Sequence, residues 1–514
     1  MYVIGMGGLR VMAGSIVAAL LLAACDEGGG VASNAAQQPE QRGMQAAKFA
    51  ASQASIATID PDPRGALRVP DEQGVAMTFS TAGEIDQHNP FFRPFGNGRS
   101  CASCHRADEG WTIRPDAMQD LFNQTQGTDP IFALVDGANR PDADISTLDK
   151  RQAAFSMLLN RGVIRIGLPM PDNAEFDLAA VDDPYGFASA KELSMFRRPL
   201  PTTNVKFLAS VMWDGRETAL QQDTDRCTVV AGNKQCFAPR DNDLMHQANS
   251  AIHAHAQATA DMSKADREAI LDFERGLYTA QVVDNAAGDL RDHGALGGPV
   301  EIFRARAYFG INDLLQGDFE TRLPFNNVVM SLFDKWANAR TDATLTPAVA
   351  AARESIARGQ VLFNTKPINI TGVAGLNDEL RMPVIRGSCT SCHDTPRSGT
   401  HSTPLFLNVG VMDASRRPGL GDSRGAMPLY TFRNKVDGTT VQTMDPGYAL
   451  ITGKWKDIGK VKVPSLRAIE TRSPYFQDGS ESELTDVVRF YDKRFSIGLT
   501  DQEVQDLAAF LRVM

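Results

Sequence analysis

The sequence predicts a mainly α-helical protein made of one unit used twice, a degenerate tandem repeat with loop insertions and a small β-hairpin in the second copy. Three observations carry this. Cys101-Ala-Ser-Cys104-His105 recurs as Cys389-Thr-Ser-Cys392-His393. Each copy is followed by a Pro-led segment ending in Asp-Gly, residues 201–215 through Trp213-Asp214-Gly215 and residues 464–479 through Gln477-Asp478-Gly479. Each half then closes on a helix with a capping-box-like start, Ser263 to Asp266 and Thr500 to Glu503, which aligns Ile270 with Leu507 and Phe273 with Phe510. The elements keep one order in both halves, as a repeat requires.

Taken in order, the 514 residues allow two or three domains. A hydrophobic content of 43% and a charged content of 22% are ordinary for a globular protein. A net charge of -10 argues against nucleic-acid binding. Residues 1–24 read as a lipoprotein signal peptide: Arg10, an apolar run from Val11 to Leu22, then Leu22-Ala23-Ala24-Cys25, which resembles a bacterial lipobox. That resemblance implies a periplasm-facing envelope protein held to the membrane by lipid on Cys25; an ordinary signal peptide cut near Ala24 shares the small-residue pattern. Residues 25–75, rich in Gly, Ala, Gln, Ser and Pro, read as a flexible tether. Residues 76–290 are the first unit, and residues 291–514 a bridging segment plus the second. Helical periodicity is plain over 348–363 and 483–491. Asp437-Gly438, flanked by β-forming residues 429–432 and 439–443, signals the hairpin.

C-x-x-C-H is the attachment signal for a c-type haem. Two thiols on one turn reach the two vinyl groups of a porphyrin, and the adjacent His becomes the proximal iron ligand. One chance copy is expected about 0.0015 times in a chain of this Cys and His content, so two by accident are negligible. A redox disulfide does not need the His, and a zinc site would want a second ligand pair close by, which neither motif has. The chain is therefore expected to carry two covalent c-type haems, on Cys101, Cys104 and His105 and on Cys389, Cys392 and His393. Cys227 and Cys236 are left over and read, in an oxidising compartment, as a disulfide closing a short loop, or else as two unrelated free thiols.

The order C-x-x-C-H, W-D-G-R, second C-x-x-C-H, V-P-S-L-R, D-G and V-V-x-F-Y over residues 80 to 514 resembles the bacterial di-haem cytochrome c peroxidase superfamily, which includes the MauG-type enzymes. The resemblance implies two cytochrome c-like haem domains, the first haem reacting with hydrogen peroxide and the second relaying electrons from a small donor protein, a cytochrome c or a cupredoxin. It matches Trp213 to a Trp between the two irons, and Gln247, in Leu244-Met-His-Gln247-Ala248, to a Gln lining the peroxide pocket. Where the family has a catalytic Glu this chain has Gln257, which cannot titrate. His255 shares a helical face with Leu244, Ala248 and Ala251 and is the expected distal acid–base residue. Arg216 is expected at a haem propionate or in an ion pair. The alignment matches Tyr491 to the distal ligand of the second haem, with Met412, Met427 and Met444 as alternatives. The family's plugging His soon after the first motif is missing, so the first haem is expected to be open; His88 is an upstream alternative plug or a loop residue. The family also carries a calcium, for which this chain has no loop of EF-hand spacing. The expected activity is that of a peroxidase-like oxidoreductase. A non-catalytic di-haem electron-transfer lipoprotein and a MauG-like oxidase of another substrate are the alternatives.

Overall fold

Helix Asp501–Arg512 starts where its sequence supplies a cap. Thr500 Oγ1 accepts from the Glu503 amide at 3.2 Å, and Glu503 Oε2 accepts from the Thr500 amide at 2.9 Å, so two otherwise orphaned donors are satisfied. The helix buries Val504, Leu507, Phe510 and Leu511 against helix Pro347–Thr365. Gly359 permits that approach: a Cβ there would lie 1.9 Å from the Asp506 carbonyl oxygen. Its counterpart in the first half, helix Lys264–Gly276, starts at Ser263, which accepts from the Asp266 amide at 3.1 Å. The return arm of the box is absent there, because the Asp266 carboxylate pairs with Arg93 at 2.7 Å.

The computed structural model describes residues 63, 65–218, 240–419 and 425–514, with the backbone of two short strands between 219 and 239. Among the described residues there are eleven α-helices and six small sheets. That is more β-structure than the single hairpin the sequence suggests. Two of the missed strands lack a period of two. Gly74–Ser80 and Leu277–Asp284 are almost wholly buried, so their side chains do not alternate between core and solvent. They form the centre of a four-stranded antiparallel sheet edged by Leu67–Pro70 and Gly288–Asp289. The tether expected to reach residue 75 therefore stops short: from Leu67 the chain is already paired in this sheet, where Val69 is buried. Composition misled here, since the Pro and Gly that flank a tight turn look like linker residues.

Strands Leu429–Asn434 and Thr440–Thr443 pair antiparallel on either side of Asp437-Gly438. A third strand, Phe176–Asp182, joins them from the first half of the chain. A buried ion-pair cluster ties the halves again: Arg197 meets Asp445 with both carboxylate oxygens, at 2.7 and 2.8 Å, and also pairs with Asp214 of the W-D-G-R segment. Removing one partner of such a buried cluster costs about 3–5 kcal/mol, because it strands the other charge. The described residues from 63 to 514 belong to one compact unit by their contacts. Residues 1–62 lie outside the described residues, so the signal peptide, Cys25 and most of the tether remain expectations from sequence. No helix among the described residues is long and apolar enough to cross a membrane.

Candidate haem-binding site

The two motifs fold into the same local structure. Cys101–Ser103 and Cys389–Ser391 are single 3₁₀ turns, each closed by a reciprocal Ser cap: the Ser100 amide donates to Ser103 Oγ at 3.0 Å, and the Ser388 amide to Ser391 Oγ at 3.1 Å. The His amide then donates to the first Cys carbonyl, at 3.0 Å for His105 and 3.1 Å for His393. Each turn therefore brings two thiols and an imidazole to one wall of a cleft.

The imidazoles are held alike. His105 Nδ1 lies 3.3 Å from the Trp111 carbonyl oxygen, and His393 Nδ1 lies 2.5 Å from the Gly399 carbonyl oxygen, in each case six residues further on. A carbonyl only accepts, so Nδ1 carries the proton and Nε2 keeps its lone pair, as a metal-ligating His requires. Burial favours the neutral ring and pushes both pKa values down to about 4. The packing repeats as well. Phe91 sits 6.4 Å from the His105 ring and 5.1 Å from Phe273; Phe363 sits 6.0 Å from His393 and 5.5 Å from Phe510. The pairing of Phe273 with Phe510, read from sequence, thus has a counterpart in space.

The first cleft, with a cavity of about 170 Å³, is lined by Cys101, Cys104, His105, Trp213, Arg216, Gln247 and His255. The second, about 240 Å³, is lined by Cys389, Cys392, His393, Trp213 and Tyr491 among mainly apolar side chains. Two thiols, a neutral imidazole with a free lone pair and apolar walls are the donor set and surface a c-type haem needs, so the residues of both clefts fit the group. The clefts share a wall made of Arg198, Pro199, Leu200, Pro201, Trp213, Lys462 and Ser465. Trp213 is fixed in it at both ends: its indole Nε1 donates to the Arg198 carbonyl at 2.8 Å, and its own carbonyl accepts from the Lys462 amide at 2.9 Å.

His255 caps helix Asp241–Ala254 and reaches the first cleft beside Leu244, Gln247, Ala248 and Ala251. Its Nδ1 bonds Asp136 Oδ2 at 2.6 Å. Asp136 is buried and also paired with Arg99; burial alone would raise its pKa, but the bonds to His255 and Arg99 outweigh it and hold the carboxyl below its usual range. His255 Nε2 makes no hydrogen bond to a described residue. Gln257 does not line the cleft and bonds Asn97 at 3.1 Å. His88 is exposed and lines neither cleft, which removes it as a plug. Arg216 lines the first cleft and pairs with Asp214 at 2.9 Å.

Tyr491 is on helix Leu484–Phe495, in the second cleft, and its hydroxyl bonds no described residue. Burial, then the nearby thiols, raise its pKa. Met412, Met427 and Met444 instead pack together in a separate core with Met157 and Phe196 and line neither cleft. Among the described residues one group has metal-ligand spacing, Asp313, Asp394 and His401. Its side chains are already engaged with Ser402, Thr403 and nearby amides, so nothing in the geometry assigns the expected calcium there. Cys227 lies opposite Cys236 in a strand pair, and their side chains fall outside the described residues.

Sequence reasoning missed Glu274, Lys462 and Arg198. Glu274 lines the first cleft, and burial pushes its carboxyl up to about 8. Lys462 lines both clefts, and burial brings its ammonium down to about 7. Glu274 is one residue past Phe273 of the closing helix, and Lys462 one residue before V-P-S-L-R, so proximity to a motif was the only signal available.

No protein-family model matches the chain. It is 31% identical over 145 residues to a cytochrome-c peroxidase IdrP1 of Denitromonas iodatirespirans, over 25% of this chain and 37% of that one. It is 29% identical over 202 residues to the cytochrome-c peroxidase IdrP1 of Pseudomonas sp. (strain SCT), over 35% and 43%. The chain thus matches less than half the length of these relatives. A solved MauG-like protein associated with microbial copper homeostasis aligns over 76% of this chain and 88% of its own, at 15% identity and a TM-score of 0.29.

Proposed function

We propose that this relative of the bacterial cytochrome c peroxidases is a di-haem, peroxidase-like oxidoreductase that takes hydrogen peroxide in the first cleft and electrons through the second. The observation that carries this reading is the pair of like clefts sharing a wall that contains Trp213. When bound, c-type haem would supply redox-active iron able to react with peroxide or accept an electron.

The residues of the first cleft suit the proton traffic. Splitting peroxide requires a proton taken from one oxygen and delivered to the other. His255, held through Nδ1 by Asp136, presents Nε2 for that exchange. Gln247 offers an amide to orient the substrate without competing for the proton. Arg216, half-buried beside Asp214, keeps a guanidinium at the cleft edge suited to a carboxylate. In the second cleft the Tyr491 hydroxyl, which bonds no described residue, would hold the iron of a bound haem; a phenolate oxygen is harder than a thioether and would favour the ferric state. This last feature favours a MauG-like oxidase of another substrate as the second reading.

The mature protein is proposed to face the periplasm, anchored by lipid on Cys25, with a small cytochrome c or cupredoxin as donor. The deciding experiment is the ferric spectrum of purified protein with two haems per chain. A high-spin fraction that shifts with peroxide or cyanide supports the enzyme. Two low-spin haems without response reduce the protein to electron transfer. Turnover of peroxide with reduced cytochrome c then separates a peroxidase from an oxidase of another substrate.

A further inference from the structure

The wall between the clefts is pinned by a side chain that no motif includes. Arg198 lines both clefts and is 5% exposed. Its guanidinium meets backbone oxygens. Nη1 donates to the carbonyls of Arg161 (3.0 Å) and Gly162 (3.4 Å), and Nη2 to those of Ile113 (2.8 Å), Arg472 (3.2 Å) and Ser473 (3.5 Å). Three of these carbonyls come from the first half of the chain and two from the segment after V-P-S-L-R. The backbone of Arg198 is tied as well. Its amide donates to the Gln477 carbonyl at 2.7 Å, and its carbonyl accepts the Trp213 indole at 2.8 Å. Gly162 has a left-handed φ of 60°, and a Cβ there would lie 2.4 Å from Arg198 Nη1, so the close approach needs glycine.

A buried guanidinium is tolerated only when its donors are satisfied. A cage of carbonyl oxygens drawn from two parts of a chain is the donor chemistry that also holds a hard metal cation. Here the positive charge belongs to the chain itself. Burial, then Arg472, lower its pKa to about 9, which leaves it charged at neutral pH.

We propose that Arg198 is a positioning residue: its guanidinium clamps the two halves of the chain, and its carbonyl thereby holds the Trp213 indole at a fixed angle in the wall between the clefts. The functional consequence rests on the relay reading above; the hold on the indole does not.

The test uses the haem-loaded protein and the variants R198A, R198K and W213F, each checked for two haems per chain. Ultraviolet resonance Raman spectroscopy reads the indole N–H hydrogen bond, with the Trp213 signal assigned by difference against W213F. R198A is expected to weaken that hydrogen bond and to slow electron passage from the second haem to the first by up to about 100-fold, the scale of a misplacement of about 1 Å. Methylguanidinium at millimolar concentration is expected to refill the cage and restore both. R198K, with fewer donors, is expected to fall between, and it decides the matter if R198A does not fold. An unchanged indole signal in both variants overturns the proposal, as does a loss that methylguanidinium leaves unrepaired. If the signal responds as expected while the unaltered protein passes no electrons between its haems, the relay reading fails and the positioning role stands.

Discussion

Replacing His255 by Ala tests the chemistry of the first cleft most directly. The imidazole lies in the cleft with His105, its Nδ1 is 2.6 Å from the buried Asp136, and its Nε2 bonds no described residue. A positioned acid–base group contributes about 10²–10⁴-fold to a rate. The second-order rate of peroxide with the ferric protein should therefore fall by that factor, about 3–5 kcal/mol in transition-state stabilisation. The substitution also leaves Asp136 with Arg99 alone, and losing one hydrogen bond to a buried charge costs about 1–3 kcal/mol of stability. Stopped-flow mixing with peroxide gives the rate, and thermal unfolding gives the stability. Asp136→Asn, which keeps the imidazole but replaces its anionic partner, should fall between wild type and His255→Ala. A peroxide rate in His255→Ala within about threefold of wild type, in protein with both haems attached, would refute the assignment, because so small a loss is below what proton transfer contributes.

Three further outcomes are expected. Tyr491→Phe should change the ferric spectrum of one haem and leave the other untouched; a change in both, or in neither, places the distal ligand elsewhere. Cys389→Ser with Cys392→Ser should lower the covalent haem content from two to one per chain by the pyridine haemochrome assay, while the first cleft still answers to cyanide. Glu274 supplies a pH test. Its folded pKa of about 8 lies above the ordinary carboxyl value, so the folded state keeps the proton longer than the unfolded chain does. That contribution is full below the unfolded pKa and is lost as pH rises through about 8. Glu274→Gln, which stays neutral, should be more stable than wild type at about pH 8.5 by up to a few kcal/mol, at about 1.4 kcal/mol per pKa unit, with the gap closing by about pH 5. Thermal unfolding at the two pH values measures it, and a gap that widens toward acid contradicts the burial argument.

The closing helices, the helix over 347–365 and the helix carrying Tyr491 were legible because each presents one apolar face with a period of about 3.6. The central strands Gly74–Ser80 and Leu277–Asp284 were not. A strand covered on both faces carries no alternation and cannot be told from a buried helical run. The third strand of the hairpin sheet, Phe176–Asp182, was equally hidden, since its partner lies about 250 residues away and pairing at that range leaves no local mark.

What the sequence by itself determined is the chemistry of attachment: two C-x-x-C-H turns are local, and local spacing is enough to bring two thiols and an imidazole to one side of one turn. Only the tertiary structure decided which distant side chains face those turns. It brought His255 to the first cleft and left Gln257 and His88 out; it put Tyr491 in the second and packed the three methionines elsewhere. It also put Arg198 among five carbonyls from both halves. Backbone carbonyls are present at every residue, so no sequence pattern can announce where several of them converge on one charge.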